Sequence, residues 1–193
     1  MCEILRESPL MSSRIFTTAE CAPNVCRAVM NELLTNNAKL YALRYQVEIG
    51  EALGSGKDGI VLVGKSNIFQ ADVAIKMHRF AELYHREKNA YERLRSLEVS
   101  KVSGFSVPEL LRVDDELQVI EMTIVQRPFV LDFAAAYLDV RPEFPDEVWA
   151  EWEADKREQF EEHWPKVRAI LDAFEAFGIY LTDISPANIG FEL

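Results

Sequence analysis

The sequence is poor in cysteine, in basic residues and in long apolar runs, and each shortage excludes a class of protein. Its three cysteines, Cys2, Cys21 and Cys26, form no CxxC pair and have no zinc-type spacing with the three histidines. Lysine and arginine number 21 against 32 aspartates and glutamates, a net charge of -11 that argues against nucleic-acid binding. No apolar run approaches the roughly 18 residues that span a bilayer, and the N-terminus lacks a secretory hydrophobic stretch. We therefore expect a soluble, cytoplasmic protein without membrane or nucleic-acid partners, and a nucleotide or a basic protein fits its charge better.

The remaining composition and patterning predict an α+β fold. With 193 residues and 49% hydrophobic content, the chain can bury one sizeable core or two small lobes that share a cleft. Residues 1–44 are expected to form an extension with a short amphipathic helix, residues 45–123 to alternate β runs with one long helix, and residues 124–193 to be helical. The predicted strands cover residues 45–49, 60–63, 72–77, 110–113 and 117–122, and the predicted helices cover residues 24–36, 80–97, 131–138, 146–162 and 165–178.

Three glycines between the first two predicted strands, Gly54, Gly56 and Gly59, spell G-x-G-x-x-G. Several kinds of phosphate-binding loop use this spacing, and the residues around it distinguish among them. A dinucleotide-binding fold places a helix directly after the glycines, whereas the chain here continues as an apolar β run. A Walker A loop is excluded because Glu51 and Asp58 stand where that motif has glycine and Ser or Thr. The two remaining interpretations are a glycine-rich hairpin that approaches phosphates and an ordinary flexible hairpin.

A lysine and a glutamate are both expected on buried faces. The run Val-Ala-Ile-Lys at residues 73–76 places Lys76 in an apolar strand, on the same face as Ala74. Glu87 lies on the apolar stripe of the following helix. That stripe consists of Phe80, Leu83, Tyr84, Tyr91 and Leu94. Because an isolated buried charge is strongly unfavourable, we interpret Lys76 and Glu87 as a pair. The alternative is that Lys76 extends to solvent and Glu87 lies at the helix edge.

Near the end of the chain, Asp183 and Asn188 have the spacing D-x-x-x-x-N. Alone, the run Asp-x-Ser-Pro is as readily a simple turn. The order of the motifs decides between the two interpretations: a glycine hairpin, a strand lysine, a helix glutamate and then D-x-x-x-x-N. This is the order found in protein kinases, and residues 45–193 resemble the protein-kinase-like superfamily.

The resemblance implies a five-stranded antiparallel N-lobe with one long helix, followed by an incomplete helical C-lobe. It implies ATP and Mg²⁺ as cofactors, with Lys76, held by Glu87, on the phosphates. Asp183 would accept the proton of the substrate hydroxyl, and Asn188 would bind the metal. The nucleotide-binding residues implied by the resemblance are Gly54, Gly56, Gly59, Val61, Ala74, Lys76, Ile120, Glu121 and Thr123.

Two details of this resemblance concern local segments. Residues 119–123 look like the hinge between the lobes, with Ile120 as the gatekeeper and with the backbone around Glu121 and Thr123 bonded to adenine. Some short runs are similar to the atypical RIO kinases. These are Gly56-Lys57-Asp58, Lys76-Met77-His78-Arg79 and Ser185.

Departures from the family pattern leave three functions open. Leu181 and Thr182 replace the usual His-Arg before the catalytic aspartate, and the sequence reaches Leu193 without an Asp-Phe-Gly motif after Asn188, so the magnesium site is expected to be incomplete. The first function is phosphoryl transfer from ATP to a Ser or Thr hydroxyl of a protein. The second is a pseudokinase or binding module, whose acidic residues 146–162 would contact a basic protein. The third is a truncated fragment of a longer kinase.

Overall fold

The computed structural model describes residues 23–68 and 71–192, and within its first helix it describes side chains from residue 32 onward. Residues 1–22, half of the predicted extension, and the side chains of the three cysteines lie outside this description. The helices are α1 (Pro23–Tyr45), α2 (Ala81–Ser96), α3 (Asp146–Phe160) and α4 (Trp164–Ala176), with a single 3-10 turn at Glu161–His163. The longer strands are β1 (Val47–Ser55), β2 (Gly59–Ser66), β3 (Ala71–His78), β6 (Leu110–Asp114) and β7 (Val119–Thr123). The two-residue strands are β4 (Lys101–Val102), β5 (Phe105–Ser106), β8 (Phe129–Val130), β9 (Tyr137–Leu138), β10 (Ile179–Tyr180) and β11 (Ile189–Gly190).

The five longer strands form one antiparallel sheet in the order β1-β2-β3-β7-β6. Side chains alternate across the central strand β3, so that Ala74 and Lys76 face α2 while Ile75 and Met77 face α1. This arrangement confirms the predicted α+β class, the five-stranded antiparallel sheet and the long helix that follows its third strand.

Helix α1 covers one face of the sheet. Its buried residues Leu34, Ala38 and Tyr41 recur at helical spacing and pack against the sheet face that carries Ile75 and Met77. The helix continues to Tyr45, beyond the end predicted at residue 36.

Helix α2 covers the other face of the sheet. On its other side it contacts the second half of the chain, which contains α3 and α4 and is called the helical layer below. Arg93, near its C-terminus, donates to both carboxylate oxygens of Asp139 at 2.9 Å and to the carbonyl of Phe177 at 3.0 Å. Gly178 closes this corner with φ +72°, and a Cβ there would lie 2.9 Å from Arg93 Nη1. The corner therefore requires glycine on two counts, the left-handed backbone and the close approach.

The predicted helix over residues 131–138 is wrong. Asp132 adopts a left-handed φ of +65°, and its carboxylate accepts the N–H of Ala134 at 3.2 Å, which competes with helical bonding. The N–H of Leu131 donates instead to the carbonyl of Asn188 at 2.7 Å. The segment then ends in β9, which pairs with β10. Elsewhere in the second half of the chain, α3 and α4 form where helices were predicted.

Across the described residues, no helix is both long enough and apolar enough to cross a membrane.

Candidate functional site

The centre of the candidate site is a buried ion pair between β3 and α2. Lys76 Nζ lies 2.9 Å from Glu87 Oε1 and 2.7 Å from Oε2. His78, two residues further along β3, donates through Nε2 to Glu87 Oε2 at 2.6 Å, because an ionised carboxylate can only accept. Glu87 thus has the side chains of both Lys76 and His78 as partners. The structure brings Lys76 and Glu87 together, whereas the contribution of His78 was not foreseen.

Electrostatics keep both members of the pair charged. Burial alone would lower the pKa of Lys76, but the charges of Glu87 and Asp132 outweigh it and raise the pKa above its ordinary value. Burial alone would raise the pKa of Glu87, but Lys76 and the hydrogen bond from His78 hold it below its ordinary value. The stabilisation from this pair is therefore complete at neutral pH. It is lost only as pH falls through the lowered pKa of Glu87 or rises through the raised pKa of Lys76.

This ion pair opens onto a cleft of about 340 Å³ between the sheet and the segments that follow it. The volume is in the range of small-molecule sites. Seven of the residues predicted to form a site line the cleft: Gly54, Val61, Ala74, Lys76, Glu87, Thr123 and Asn188. The remaining wall comes from Leu53, Pro108, Ile124, Val125, Leu131 and Asp132. Apolar side chains therefore surround a small number of polar groups that converge on Lys76.

The loop that carries Asp183 and Asn188 is held from two sides. Trp152 of α3 donates its indole N–H to the carbonyl of Thr182 at 2.8 Å, and the Thr182 hydroxyl donates to the carbonyl of Ala135 at 3.0 Å. The Asn188 side-chain amide donates to the carbonyl of Asp183 at 3.1 Å, which ties the two ends of the loop together. The loop is thus a fixed turn that carries both predicted site residues.

Asp183 is not among the residues that line the cleft, and it faces the glycine hairpin. Its side chain is 55% exposed, and its Oδ2 lies 3.8 Å from Lys57 Nζ, which extends from the turn between β1 and β2. Both partners are accessible to solvent, so this contact contributes little to stability. The carboxylate is accessible to solvent.

Asp132 is a site residue that the sequence interpretation missed. Its Oδ1 accepts from Lys76 Nζ at 3.0 Å, so Lys76 lies between two carboxylates. The Asp132 side chain is 38% exposed and lines the cleft beside Asn188. A signal existed in the sequence, since Asp132-Phe133 directly follows the apolar run at residues 129–131. The Asp-Phe pair was missed because a metal-binding carboxylate was expected only after Asn188, whereas Asp132 precedes Asp183 in the chain.

Two predicted glycines lie away from the cleft lining. Gly59 is buried at the start of β2, where a Cβ would lie 2.1 Å from the Met77 carbonyl oxygen, so its role is close packing. Gly56 borders a second cavity of about 580 Å³, which lies between α1 and the opposite sheet face. Of the three glycines in the motif, Gly54 is the one on the cleft wall.

The segment interpreted as a hinge is part of the sheet. Ile120 and Glu121 lie inside β7, opposite Lys76 and Ile75 of β3, and both side chains are fully buried. The N–H of Thr123 donates to the carbonyl of Glu109 at 3.0 Å and is not available to a ligand, although Thr123 does line the cleft. The hinge prediction for residues 119–123 is therefore corrected, because the connection out of the sheet begins at residue 124.

The polar groups of the cleft suit a hard cation only in part. No cluster of three or more His, Cys, Asp or Glu side chains is arranged to hold a metal within the described residues. Asp132 and Asn188 nevertheless offer a carboxylate and an amide oxygen on one side of the cleft. Mg²⁺ is commonly bound by one or two such groups together with substrate phosphates. The donors therefore fit a metal that arrives with a nucleotide better than one held by the protein alone.

Searches against protein-family models, curated proteins and solved structures gave no match for this chain.

Proposed function

We propose that the protein binds ATP in this cleft and transfers its γ-phosphoryl group to a Ser or Thr hydroxyl of a protein substrate. The observation that carries the proposal is the buried pair of Lys76 and Glu87, which opens onto a cleft that Asn188 also lines. A strand lysine fixed by a helix glutamate is the device with which protein kinases hold the phosphates. A protein-kinase-like fold accounts for this pair, for the sheet above it and for the loop below it.

Each part of the cleft has a role in this proposal. Val61 and Ala74 supply an apolar surface for the adenine ring, and Gly54 lets the backbone approach the phosphates. Lys76 orients and partly neutralises the phosphates, while Glu87 and Asp132 keep it charged and in place. Mg²⁺, when bound with ATP, would neutralise the remaining phosphate charge, with Asn188 as one of its oxygen donors.

Asp183 acts on the acceptor in this proposal. Its exposed carboxylate can accept a hydrogen bond from a substrate hydroxyl and orient that oxygen toward the γ-phosphorus. Lys57, whose Nζ lies 3.8 Å from Asp183 Oδ2, would exchange this contact for the substrate or the phosphates. The reaction forms a phosphate ester, breaks the bond between the β and γ groups of ATP, and releases ADP.

The test is labelled phosphate transfer by the full chain from γ-³²P-ATP to a library of Ser and Thr peptides, and to the chain itself. Asp183→Ala is expected to reduce transfer at least about 100-fold, because an acceptor-positioning acid or base contributes roughly 10² to 10⁴. Stabilisation by ATP in thermal unfolding should persist in the variant. Asp155→Ala, on the exposed side of α3, is the matched control and should transfer normally.

Three results would contradict the proposal. Label incorporation that is unchanged in Asp183→Ala would show that this residue has no part in the reaction. Failure of ATP to stabilise the unaltered chain would remove the nucleotide site itself. Stabilisation by ATP without any transfer would leave a nucleotide-binding module in place of an enzyme.

A further inference from the structure

The strand pairs below the cleft bring two distant segments of the chain side by side. Asn188 directly precedes β11, and β11 pairs antiparallel with β8, with Ile189 opposite Val130. The N–H of Leu131 donates to the carbonyl of Asn188 at 2.7 Å, which extends this pairing by one residue toward Asp132. Asp132 is therefore fixed next to Asn188, although more than 50 residues separate them in the chain.

The order of these segments is the reverse of that in protein kinases. There, the Asp-Phe-Gly motif that carries the main metal carboxylate follows the catalytic loop. Here, Asp132-Phe133-Ala134 precedes Asp183 and Asn188, and helices α3 and α4 lie between the two segments. Antiparallel pairing determines which strands are neighbours and leaves open which comes first along the chain. The same side-by-side arrangement is therefore accessible in either order.

The surroundings of Phe133 support the comparison of residues 132–134 with an Asp-Phe-Gly motif. Its ring is fully buried and lies edge-on to Tyr91 of α2, with centroids 5.1 Å apart, and 5.5 Å from the ring of Phe174 in α4. Tyr91 lies one helical turn after Glu87. The phenylalanine next to Asp132 thus connects the segment to the helix that supplies Glu87 and to the helical layer. In protein kinases, the packing of this phenylalanine sets whether the site is assembled.

Asp132 has the chemistry and the position of a metal ligand. Its carboxylate touches Lys76 Nζ at 3.0 Å, at the point where the phosphates of a nucleotide would lie, and more than a third of its side chain is exposed. With Asn188 it presents two hard oxygen donors on one wall of the cleft. Glu87 contacts Lys76 through both of its oxygens, so the lysine keeps a buried counter-charge when Asp132 binds a metal.

We infer that Asp132 is the metal-binding carboxylate of this site and that the chain supplies it from a segment placed before the catalytic loop. This inference rests on the proposed function. It replaces the expectation of an incomplete magnesium site, since the missing carboxylate is present at an unexpected place in the sequence.

The decisive experiment measures binding and does not depend on turnover. Affinity of the full chain for the non-hydrolysable analogue AMP-PCP is determined by calorimetry with Mg²⁺ and again with EDTA. In the unaltered chain, Mg²⁺ should tighten binding by about 5- to 150-fold, the usual range for two coupled ligands. In Asp132→Asn this metal effect should fall to within about 2-fold, while binding in EDTA persists. Asp155→Asn, the exposed control on α3, should retain the full effect.

A second measurement needs no variant. Mn²⁺ added with AMP-PCP should broaden the backbone amide signals of residues 131–134 and 187–190 together, because both segments lie at the metal. Absence of this broadening in a chain that still binds AMP-PCP would overturn the inference.

The outcomes separate this inference from the proposed function. If AMP-PCP binds and Asp132→Asn keeps the full Mg²⁺ effect, Asp132 is not the metal ligand, and the proposed function stands. If the variant weakens binding equally with and without Mg²⁺, Asp132 is only a counter-ion for Lys76, and the inference fails. If the unaltered chain binds no nucleotide under either condition, both ideas fail.

Discussion

Two glutamates are buried on opposite sides of the five-stranded sheet, and their partners differ in kind. Glu87, on α2, has Lys76 and His78 within 2.9 Å. Glu121, under α1, accepts from the Tyr41 hydroxyl and lies 3.6 Å from Arg112 Nη1. Its Oε1 has no hydrogen-bond partner among the described residues. One carboxylate is fully satisfied, and the other is satisfied in part.

The two glutamates differ in whether the buried charge is connected to an open cleft. The partner of Glu87 reaches past it into an open cleft, where it meets a second carboxylate, Asp132. The hydroxyl that bonds Glu121 belongs to Tyr41, which is itself fully buried and anchors α1 to the sheet. Burial of a carboxylate alone therefore does not indicate a site. What marks the proposed site is the contact from the buried Lys76 to a second, partly exposed carboxylate, Asp132.

Removing the carboxylate on the cleft side should have the larger effect. Glu87→Gln leaves Lys76 with Asp132 alone and should lower the free energy of unfolding by about 3 kcal/mol, as expected when one partner of a buried pair is lost. Nucleotide binding should weaken in parallel. The measurement is urea denaturation with and without ATP, and Glu92→Gln on the same helix is the control. A loss below about 1 kcal/mol would mean that the pair is not the main polar anchor of α2.

On the α1 side, Tyr41→Phe should reduce stability without affecting nucleotide binding. It removes the hydroxyl that donates to Glu121, and leaving a buried carboxylate less satisfied costs about 1 to 3 kcal/mol. Tyr45→Phe is the matched comparison on the same helix. It should cost less, because Asp114 retains Arg44 at 2.7 Å and the N–H of Leu117 at 3.0 Å. Weakened ATP binding in Tyr41→Phe would show that the two faces of the sheet are coupled.

Gly59 and Gly54 allow the effect of a substitution on packing to be compared with its effect on ligand binding. Gly59→Ala would place a methyl 2.1 Å from the Met77 carbonyl oxygen and should lower stability by about 1 to 3 kcal/mol. Gly54→Ala meets no atom within 4 Å, so stability should change by less than about 0.5 kcal/mol. Because Gly54 lines the cleft, its substitution should instead weaken ATP binding. Thermal unfolding with and without ATP separates the two effects, and equal behaviour of the two variants would contradict this assignment.

Much of the sheet and its charged pair followed from local pattern. The apolar run at residues 73–75 predicted β3, and a helical stripe interrupted by Glu87 placed that carboxylate opposite Lys76. The helix predicted over residues 131–138 was wrong because Leu and Ala favour a helix in isolation, whereas the observed conformation depends on the hydrogen bond from the N–H of Leu131 to the carbonyl of Asn188. The role of Asp132 was hidden for the same reason, since only long-range strand pairing brings it to the cleft.

The contacts along α2 have a consequence for the thermodynamics of ligand binding. Tyr84 near its start donates to Asp115 at 2.7 Å, and Arg93 near its end is held by Asp139 and the Phe177 carbonyl. The helix is thus fixed at both ends, and Glu87 between them holds Lys76 extended before any ligand arrives. The cleft is preorganised, so the conformational entropy of ordering this helix is lost during folding and not on ligand binding.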